Sequence, residues 1–126
     1  MGAVLVVDDD LAQQLIVSKI LTKMGLNVIV ANDGIEALSL VESHRLDLVV
    51  LDISMPRMNG YEVCHQLKAD EKTQKLPVVM YSSEIENCRY FWTNRRSADA
   101  YVSKLCHPQE LAATIKHLLR KDLVNP

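Results

Sequence analysis

The chain has 126 residues, 48% of them apolar and 24% charged, a balance that predicts one soluble domain with a single substantial core. Its 14 basic and 16 acidic side chains give a net charge of −2, which provides no general attraction to nucleic acid or an anionic membrane. No apolar run approaches the length of a membrane span, and three scattered cysteines predict reduced thiols without a disulfide or zinc site. We therefore expect a cytoplasmic protein.

Apolar runs alternate with segments of helical periodicity along the chain. Strands are predicted at 3–7, 27–31, 46–51, 77–81 and 100–103, and helices at 11–24, 33–44, 60–69, 86–96 and 108–121. The first helix is expected to bury five apolar residues: Leu11, Leu15, Ile16, Ile20 and Met24. This alternation predicts an α/β fold, a doubly wound five-stranded parallel sheet with five helices in three α/β/α layers. Residues 1–121 form the predicted domain, and 122–126 a C-terminal tail or linker stub.

Polar residues follow four of the five predicted strands. They are Asp8, Asp9 and Asp10 after the first, Asp52 after the third, Ser82 and Ser83 after the fourth, and Ser103 and Lys104 after the fifth. Because the carboxyl ends of parallel strands meet at one edge, we expect these side chains to share a rim, where Asp10 caps the following helix. Crowded carboxylates repel one another unless a cation compensates, and carboxylate oxygens suit Mg²⁺. The set predicts phosphoryl chemistry, with an aspartate as nucleophile and lysine and hydroxyl groups binding phosphoryl oxygens.

Four segments of the chain resemble a known family. They are VLVVDD at 4–9, LDISMPRMNG at 51–60, VVMYSSE at 78–84 and AYVSK at 100–104. Together they resemble the receiver domain of bacterial two-component response regulators, over essentially the whole chain. The resemblance implies a flavodoxin-like strand order of 2-1-3-4-5. It also implies a phosphoacceptor that assists its own phosphorylation and dephosphorylation but is not a turnover enzyme.

The resemblance implies a role for each residue of the rim. Asp52 would be the phosphoacceptor, and Ser82 and Lys104 would bind the phosphoryl group. The ligands of Mg²⁺ (or Mn²⁺) would be Asp8, Asp9, Asp52 and the backbone carbonyl of Ser54. Ser54 and Glu84 would tune the lifetime of the phosphoryl group, and Tyr101 would be the aromatic switch.

Two residues depart from the family pattern near the switch. Leu105 stands where a proline follows the lysine, which leaves the Lys104–Leu105 peptide bond either cis or trans. Ser97 stands where a glycine ends the fourth helix.

The predicted fourth helix is unusually aromatic and basic, with RYFWTNRR at 89–96. Phe91 is expected in the core. Adjacent helical positions point about 100° apart, so at least one of Tyr90 and Trp92 should be exposed. We predict that Tyr90, Trp92 and Arg95 belong to a partner-binding face around the fourth helix, the fifth strand and the fifth helix.

The resemblance implies a histidine kinase or phosphotransfer protein as donor and a downstream protein as target. It implies no direct contact with nucleic acid or membrane, a monomer or weak dimer, and a service in motility or taxis. Three alternatives remain open. The chain could be a pseudo-receiver that only docks partners, or an aspartate-nucleophile phosphatase, although Ser54 stands where that class wants a second acid. It could also bind flavin, although its first loop, DDDLAQ, is acidic.

Overall fold

The computed structural model describes residues 2–92 and 97–124, with side chains described through Arg120. These residues form a three-layer α/β/α domain with six strands and four helices. The strands are β1 (Ala3–Val7), β2 (Val28–Ala31), β3 (Leu46–Leu51), β4 (Val78–Ser82), β5 (Arg89–Phe91) and β6 (Ala100–Ser103). The helices are α1 (Leu11–Lys23), α2 (Gly34–Ser43), α3 (Gly60–Ala69) and α4 (Gln109–Val124). None of the helices in the described part of the chain has the length and apolar character that crossing a membrane requires.

The sheet confirms the predicted parallel core and its strand order. The order is β2-β1-β3-β4-β6-β5, and the first five of these strands are parallel. In chain order those five are the predicted strands, arranged 2-1-3-4-5. Val7 pairs with Leu51 and Ser82 pairs with Ser103, so the strands end at one common edge. The residues that follow these strands are therefore delivered to one rim.

The helix predicted at 86–96 is wrong. The described part of this segment instead contains β5, which pairs antiparallel with β6 and places Tyr90 opposite Tyr101. Aromatic residues favour strands as readily as helices when a neighbouring strand offers a packing surface. Arg89 and Phe91 face α4, where Arg89 lies 3.6 Å from Glu110, and Tyr90 covers the opposite face of the sheet. Arg95 lies outside the described residues.

Both faces of the sheet are packed, and β1 shows how its side chains divide between them. Leu5 and Val7 belong to the core under α2 and α3, while Val4 and Val6 belong to the core under α1 and α4. Successive strand residues point to opposite faces, so a continuous apolar run fills both layers. Helix α4 continues to Val124, three residues past its predicted end.

The predicted buried faces of two segments need correction. In α1, the buried residues are Gln14, Val17 and Leu21, while Leu11, Leu15 and Ile16 are exposed. Spacing at 14, 17 and 21 gives one helical stripe toward the sheet, and the polar Gln14 is tolerated because its amide is hydrogen-bonded. Phe91, expected in the core, is 43% exposed and contacts the His117 ring.

A disulfide joins Cys88 and Cys106, so the prediction of three reduced thiols is wrong. Cys88 directly precedes β5, and Cys106 follows β6. The antiparallel pairing of these two short strands brings the cysteine Cα atoms to 5.5 Å, within the range that a disulfide requires. Cys64 is free and buried in α3.

Candidate functional site

Three carboxylates meet at the carboxyl edge of the sheet. Asp8 and Asp9 follow β1, and Asp52 follows β3, which pairs directly with β1. Each offers an oxygen, and these oxygens all lie within 4.8 Å of one another. Asp8 and Asp52 are buried, whereas Asp9 is exposed. Oxygen ligands at this spacing, open on one side, suit a hard divalent cation with remaining water ligands.

Lys104 provides the positive charge of the rim. Its Nζ donates a hydrogen bond to Asp8 Oδ2 at 2.9 Å and lies 3.7 Å from Asp52 Oδ1. The side chain is only 14% exposed, and Nζ lies 5.6 Å from the centre of the Tyr81 ring. The backbone N–H of Lys104 donates to the carbonyl of Ser82 at the end of β4. A nearly buried ammonium therefore compensates two buried carboxylates.

Asp52, one of the three carboxylic acids of the rim, has a shifted pKa. Burial raises the pKa of the Asp52 carboxyl above its ordinary value, and the negative charges of Asp8 and Asp9 raise it further. Lys104 and the backbone N–H of Ile53, which donates to Asp52 Oδ1 at 2.9 Å, act in the opposite direction. Since burial outweighs the favourable contacts, the ionised carboxylate is held at a cost, and a cation bound here would reduce that cost.

Hydroxyl and carboxylate groups from the loops after β3 and β4 lie at the same edge of the sheet. Ser82, at the end of β4, is buried, and its Oγ accepts a hydrogen bond from the Glu84 N–H at 3.2 Å. The Ser54 hydroxyl donates to Glu84 Oε1. Ser54, Glu84 and Asp9 line one open cleft of about 560 Å³. The residues predicted as phosphoryl ligand and as tuning pair thus lie at the same rim as the acids.

The loop after Asp52 is fixed by close backbone contacts. The Gly60 N–H donates to the Ile53 carbonyl at 2.8 Å, and Asn59 caps α3 by accepting from the Glu62 N–H. A β-carbon at residue 60 would overlap the carbonyl oxygen of Asp52, so only glycine fits there. These contacts bring the start of α3 against the acidic residue and set its position.

Gln14 is a site residue that the sequence analysis missed. Its amide donates to the Asp8 carbonyl at 2.6 Å and to Asn32 Oδ1 at 2.8 Å, so it ties α1 to the ends of β1 and β2. A polar residue on the stripe 14, 17 and 21 was the available signal. Asp10 is confirmed as the cap of α1, because its Oδ1 accepts from the Ala12 N–H.

The predicted switch residue is enclosed by aromatic rings. Tyr101 is buried, and burial raises the pKa of its hydroxyl. The Tyr90 ring stacks on it with centroids 4.6 Å apart, and Trp92 meets it edge-on at 6.3 Å. Trp92 is 50% exposed, which confirms that an aromatic of this segment reaches solvent. The Lys104–Leu105 bond is trans, since the described backbone contains no cis peptide.

The fold and the rim together have the form of a response-regulator receiver: a flavodoxin-like sheet with acids, a hydroxyl and a lysine at its carboxyl edge. The pattern described as the response regulator receiver domain matches residues 4–116. The chain therefore belongs to the response regulator receiver domain family, as its sequence motifs predicted.

Similar proteins agree with this assignment. The probable transcriptional regulator ycf27 of Porphyra purpurea is 38% identical over 118 residues, which are 94% of this chain and 47% of that protein. The DNA-binding response regulator MtrA of Mycobacterium tuberculosis is 35% identical over 119 residues, 94% of this chain and 51% of that protein. The chain thus spans about half the length of the curated relatives it matches.

Solved structures show the same fold. A CheY-like response regulator receiver domain protein from Methanospirillum hungatei superposes with a TM-score of 0.82 at 26% identity, covering 100% of this chain and 99% of the other. The response regulator protein TrrA from Thermotoga maritima, solved in complex with Mg(2+)-BeF, gives a TM-score of 0.77 at 30% identity, covering 94% and 99%.

Proposed function

We propose that this chain is a phosphorylation-dependent signalling receiver that accepts a phosphoryl group on Asp52 from a phosphohistidine of a partner kinase or phosphotransfer protein. The observation that carries the proposal is the position of Lys104 Nζ, 2.9 Å from Asp8 and 3.7 Å from Asp52, beside three carboxylates within 4.8 Å of one another. Phosphoryl acceptance needs a carboxylate as nucleophile and a positive charge for the phosphoryl oxygens, and this rim places a lysine beside two buried carboxylates with a third close by.

Each residue of the rim then has a task. An Asp52 oxygen attacks phosphorus, the P–N bond of the phosphohistidine breaks, and the imidazole keeps the electron pair and takes a proton. Lys104 neutralises a phosphoryl oxygen, and the Ser82 hydroxyl donates to another. Asp8, Asp9, Asp52 and the Ser54 carbonyl would hold Mg²⁺ (or Mn²⁺), which would supply further neutralisation of the phosphoryl charge. We further propose that Ser54 and Glu84, in contact over the cleft, limit water attack on the acyl phosphate.

The exposed face of α1 is the proposed docking surface for the donor. Leu11, Leu15 and Ile16 are exposed apolar residues in the first two turns of α1, which begins directly after the acidic residues. Single exposed apolar residues are ordinary, but a contiguous group beside a reactive site favours protein contact. A donor docked there would bring its phosphohistidine to Asp52 without crossing the sheet.

The proposed output surface consists of β5, β6 and α4; Trp92 is exposed on it, and Tyr90 covers the buried Tyr101 on the sheet face opposite α4. It differs from the predicted face because β5 stands where the fourth helix was expected; Arg95 follows β5 in sequence. Trp92 is half exposed and meets both Tyr90 and Tyr101 edge-on, so its fluorescence should report any movement of Tyr101. Beryllofluoride with Mg²⁺ should change the Trp92 emission, and an unchanged spectrum at confirmed occupancy would exclude Trp92 from the switch.

Mass spectrometry of the intact protein tests the phosphoacceptor. Incubation with a small acyl phosphate and Mg²⁺ should add one phosphoryl group, chelation of Mg²⁺ should prevent it, and Asp52→Ala should abolish it. Asp47→Ala is the matched control, because Asp47 is an exposed carboxylate near the start of β3, the strand that ends before Asp52, and its loss should leave labelling unchanged. An equal adduct in Asp52→Ala would contradict the proposal, and no adduct in the wild type would favour a receiver that only docks partners.

The setting of this activity is also a proposal. A kinase-fed receiver acts in the cytoplasm, as a monomer or weak dimer, on a downstream protein target and without its own contact to nucleic acid or membrane. The net charge of −2 supports the last point. We propose that the domain acts in motility or taxis. A pull-down that compares proteins bound by the beryllofluoride-bound form with those bound by the free form would test the target.

A further inference from the structure

We propose that the Cys88–Cys106 disulfide is a reversible redox site that holds Lys104 in place, so that a dithiol reductant lowers phosphoryl acceptance at Asp52. This inference rests on the proposed function, because its predicted effect is a change in phosphoryl acceptance at Asp52. The covalent link itself, and the loop that it anchors, are features of the structure.

Cys106 lies two residues after Lys104, in a loop that short contacts connect to the site. The Cys106 N–H donates to the Ser103 carbonyl at 3.3 Å, and the Leu105 N–H donates to Ser103 Oγ at 3.0 Å. The Ser103 N–H in turn donates to the Cys88 carbonyl at 3.1 Å. The disulfide therefore clamps the lysine-bearing loop to the segment that leads into β5.

The loop has little else to hold it on its outer side. Leu105, which directly follows Lys104, is 75% exposed and contributes almost no packing. Its peptide bond to Lys104 is an ordinary trans bond without a proline ring to restrict the backbone. The covalent link to Cys88 therefore adds to the hydrogen bonds with Ser103 in restraining the backbone that follows the lysine. Because Lys104 Nζ must meet Asp8 and a phosphoryl group, a looser backbone would weaken that contact.

The disulfide joins two residues at the surface of the domain, whereas the third cysteine is buried. Cys88 is exposed and Cys106 is partly exposed. Cys64 is buried, and burial raises the pKa of its thiol to about 11, so little reactive thiolate forms there. Disulfides in reducing compartments are typically transient and redox-sensing, which fits an accessible bond beside a signalling site.

The exchange is a balanced two-electron step. A thiolate of the dithiol attacks Cys88 Sγ, the Cys88–Cys106 bond breaks, and Cys106 leaves as a thiolate that takes a proton. The second thiol of the reductant attacks the mixed disulfide, and Cys88 leaves in the same way. The protein gains two thiols, and the dithiol becomes a disulfide. A disulfide oxidant such as glutathione disulfide reverses the reaction.

The test compares oxidised and dithiothreitol-reduced protein in two measurements. The first is the initial rate of Mg²⁺-dependent Asp52 labelling by an acyl phosphate, which should fall by about tenfold on reduction, since small misplacements of a positioned group carry large rate effects. The second is amide hydrogen exchange of the peptide covering 101–108, which should become faster on reduction and requires no phosphorylation. Thiol alkylation after denaturation counts the cysteines freed.

Two variants separate the disulfide from general effects of the reductant. Cys88→Ser/Cys106→Ser should behave like reduced wild type under both conditions. Cys64→Ala keeps the disulfide and should respond like wild type. Equal labelling rates in oxidised and reduced wild type would overturn the inference, as would three free thiols in protein never exposed to reductant. If neither form is labelled, the proposed function fails, and unchanged exchange at 101–108 on reduction would then overturn the redox inference independently.

Discussion

Lys104 lies closer to Asp8 than to Asp52, with Nζ 2.9 Å from Asp8 Oδ2 and 3.7 Å from Asp52 Oδ1. In this state the lysine is engaged mainly by a proposed metal ligand, and only secondarily by the proposed phosphoacceptor. Asp8 is further oriented by the N–H of Asp10, which donates to its other oxygen at 2.9 Å. A cation shared by Asp8 and Asp52 would compete with the lysine for both carboxylates and leave the ammonium available to a phosphoryl oxygen.

Replacing this lysine tests its part in the chemistry. Lys104→Met removes the ammonium but keeps much of the side-chain volume, and the rate of Asp52 labelling should fall about 100-fold, the usual effect of losing one preorganised electrostatic group. Lys116→Met, on the exposed face of α4, is the matched control and should label like wild type. A Lys104→Met rate equal to that of the control would remove the lysine from the mechanism.

The stability of the protein should depend on the charge of Asp52. Its pKa is raised on folding, so between the unfolded and folded pKa values the folded state binds more protons, and the unfolding free energy falls as pH rises through that window. Asp52→Asn cannot ionise there, and at pH 7 without Mg²⁺ it should be more stable than wild type.

Urea unfolding at several pH values, in the presence of a chelator, measures this difference. Asp47→Asn, an exposed carboxylate at the other end of β3, should retain the pH dependence of wild type. An Asp52→Asn variant that is less stable than wild type at neutral pH would show that the contacts of the carboxylate outweigh its burial.

The disulfide should also contribute to global stability. It closes a segment with a sequence separation of 18 residues, and a loop of that size restricts the unfolded chain by about 3 kcal/mol. Reduction of wild type should lower the unfolding free energy by that amount in denaturant titrations, while Cys88→Ser/Cys106→Ser should be insensitive to reductant. An unchanged midpoint for reduced wild type would indicate that strain in the folded state cancels the benefit.

The stacking of Tyr90 on Tyr101 gives a fourth prediction. Tyr90→Leu keeps apolar contact but loses the ring pair, and should reduce the unfolding free energy by about 1 kcal/mol. Tyr90→Phe keeps the ring and is the control that should match wild type. Trp92 emission, which reports on both tyrosines, should shift in Tyr90→Leu alone. Identical stabilities of the two variants would deny the stack any part in holding Tyr101.

The parallel strands and the acidic rim could be predicted because their signals are local. A continuous β-branched run such as AVLVV favours a strand buried on both faces, and its end places Asp8 and Asp9 at the carboxyl edge. The face of α1 was predicted wrongly because apolar residues occupy more than one stripe, and a hydrogen-bonded Gln14 took a buried position. Which face of α1 packs on the sheet depends on where the strands end, and the tertiary fold sets that position.

The β5 segment and the disulfide depend on contacts that the sequence does not reveal. RYF is short enough to suit either a helix or a strand, and β6 alone supplies the partner that selects the strand. Cys88 and Cys106 are 18 residues apart, and only the antiparallel pairing of β5 with β6 brings them together. The sequence alone shows three scattered cysteines and does not reveal the strand pairing that brings two of them together. This explains the incorrect expectation of three reduced thiols.

The pairing of β5 limits which proteins can recognise this side of the domain. The Ser103 N–H donates to the Cys88 carbonyl, and the Trp92 N–H donates to the Asp99 carbonyl. Backbone groups that bond to β6 alternate along β5, so the backbone N–H and C=O groups of Arg89 and Phe91 point away from β6. A partner shaped to bind a helix at this position would instead meet main-chain donors and acceptors, which are best satisfied by an added strand. Two domains with the same acidic rim would therefore differ in the binding partners that this edge of the sheet accepts.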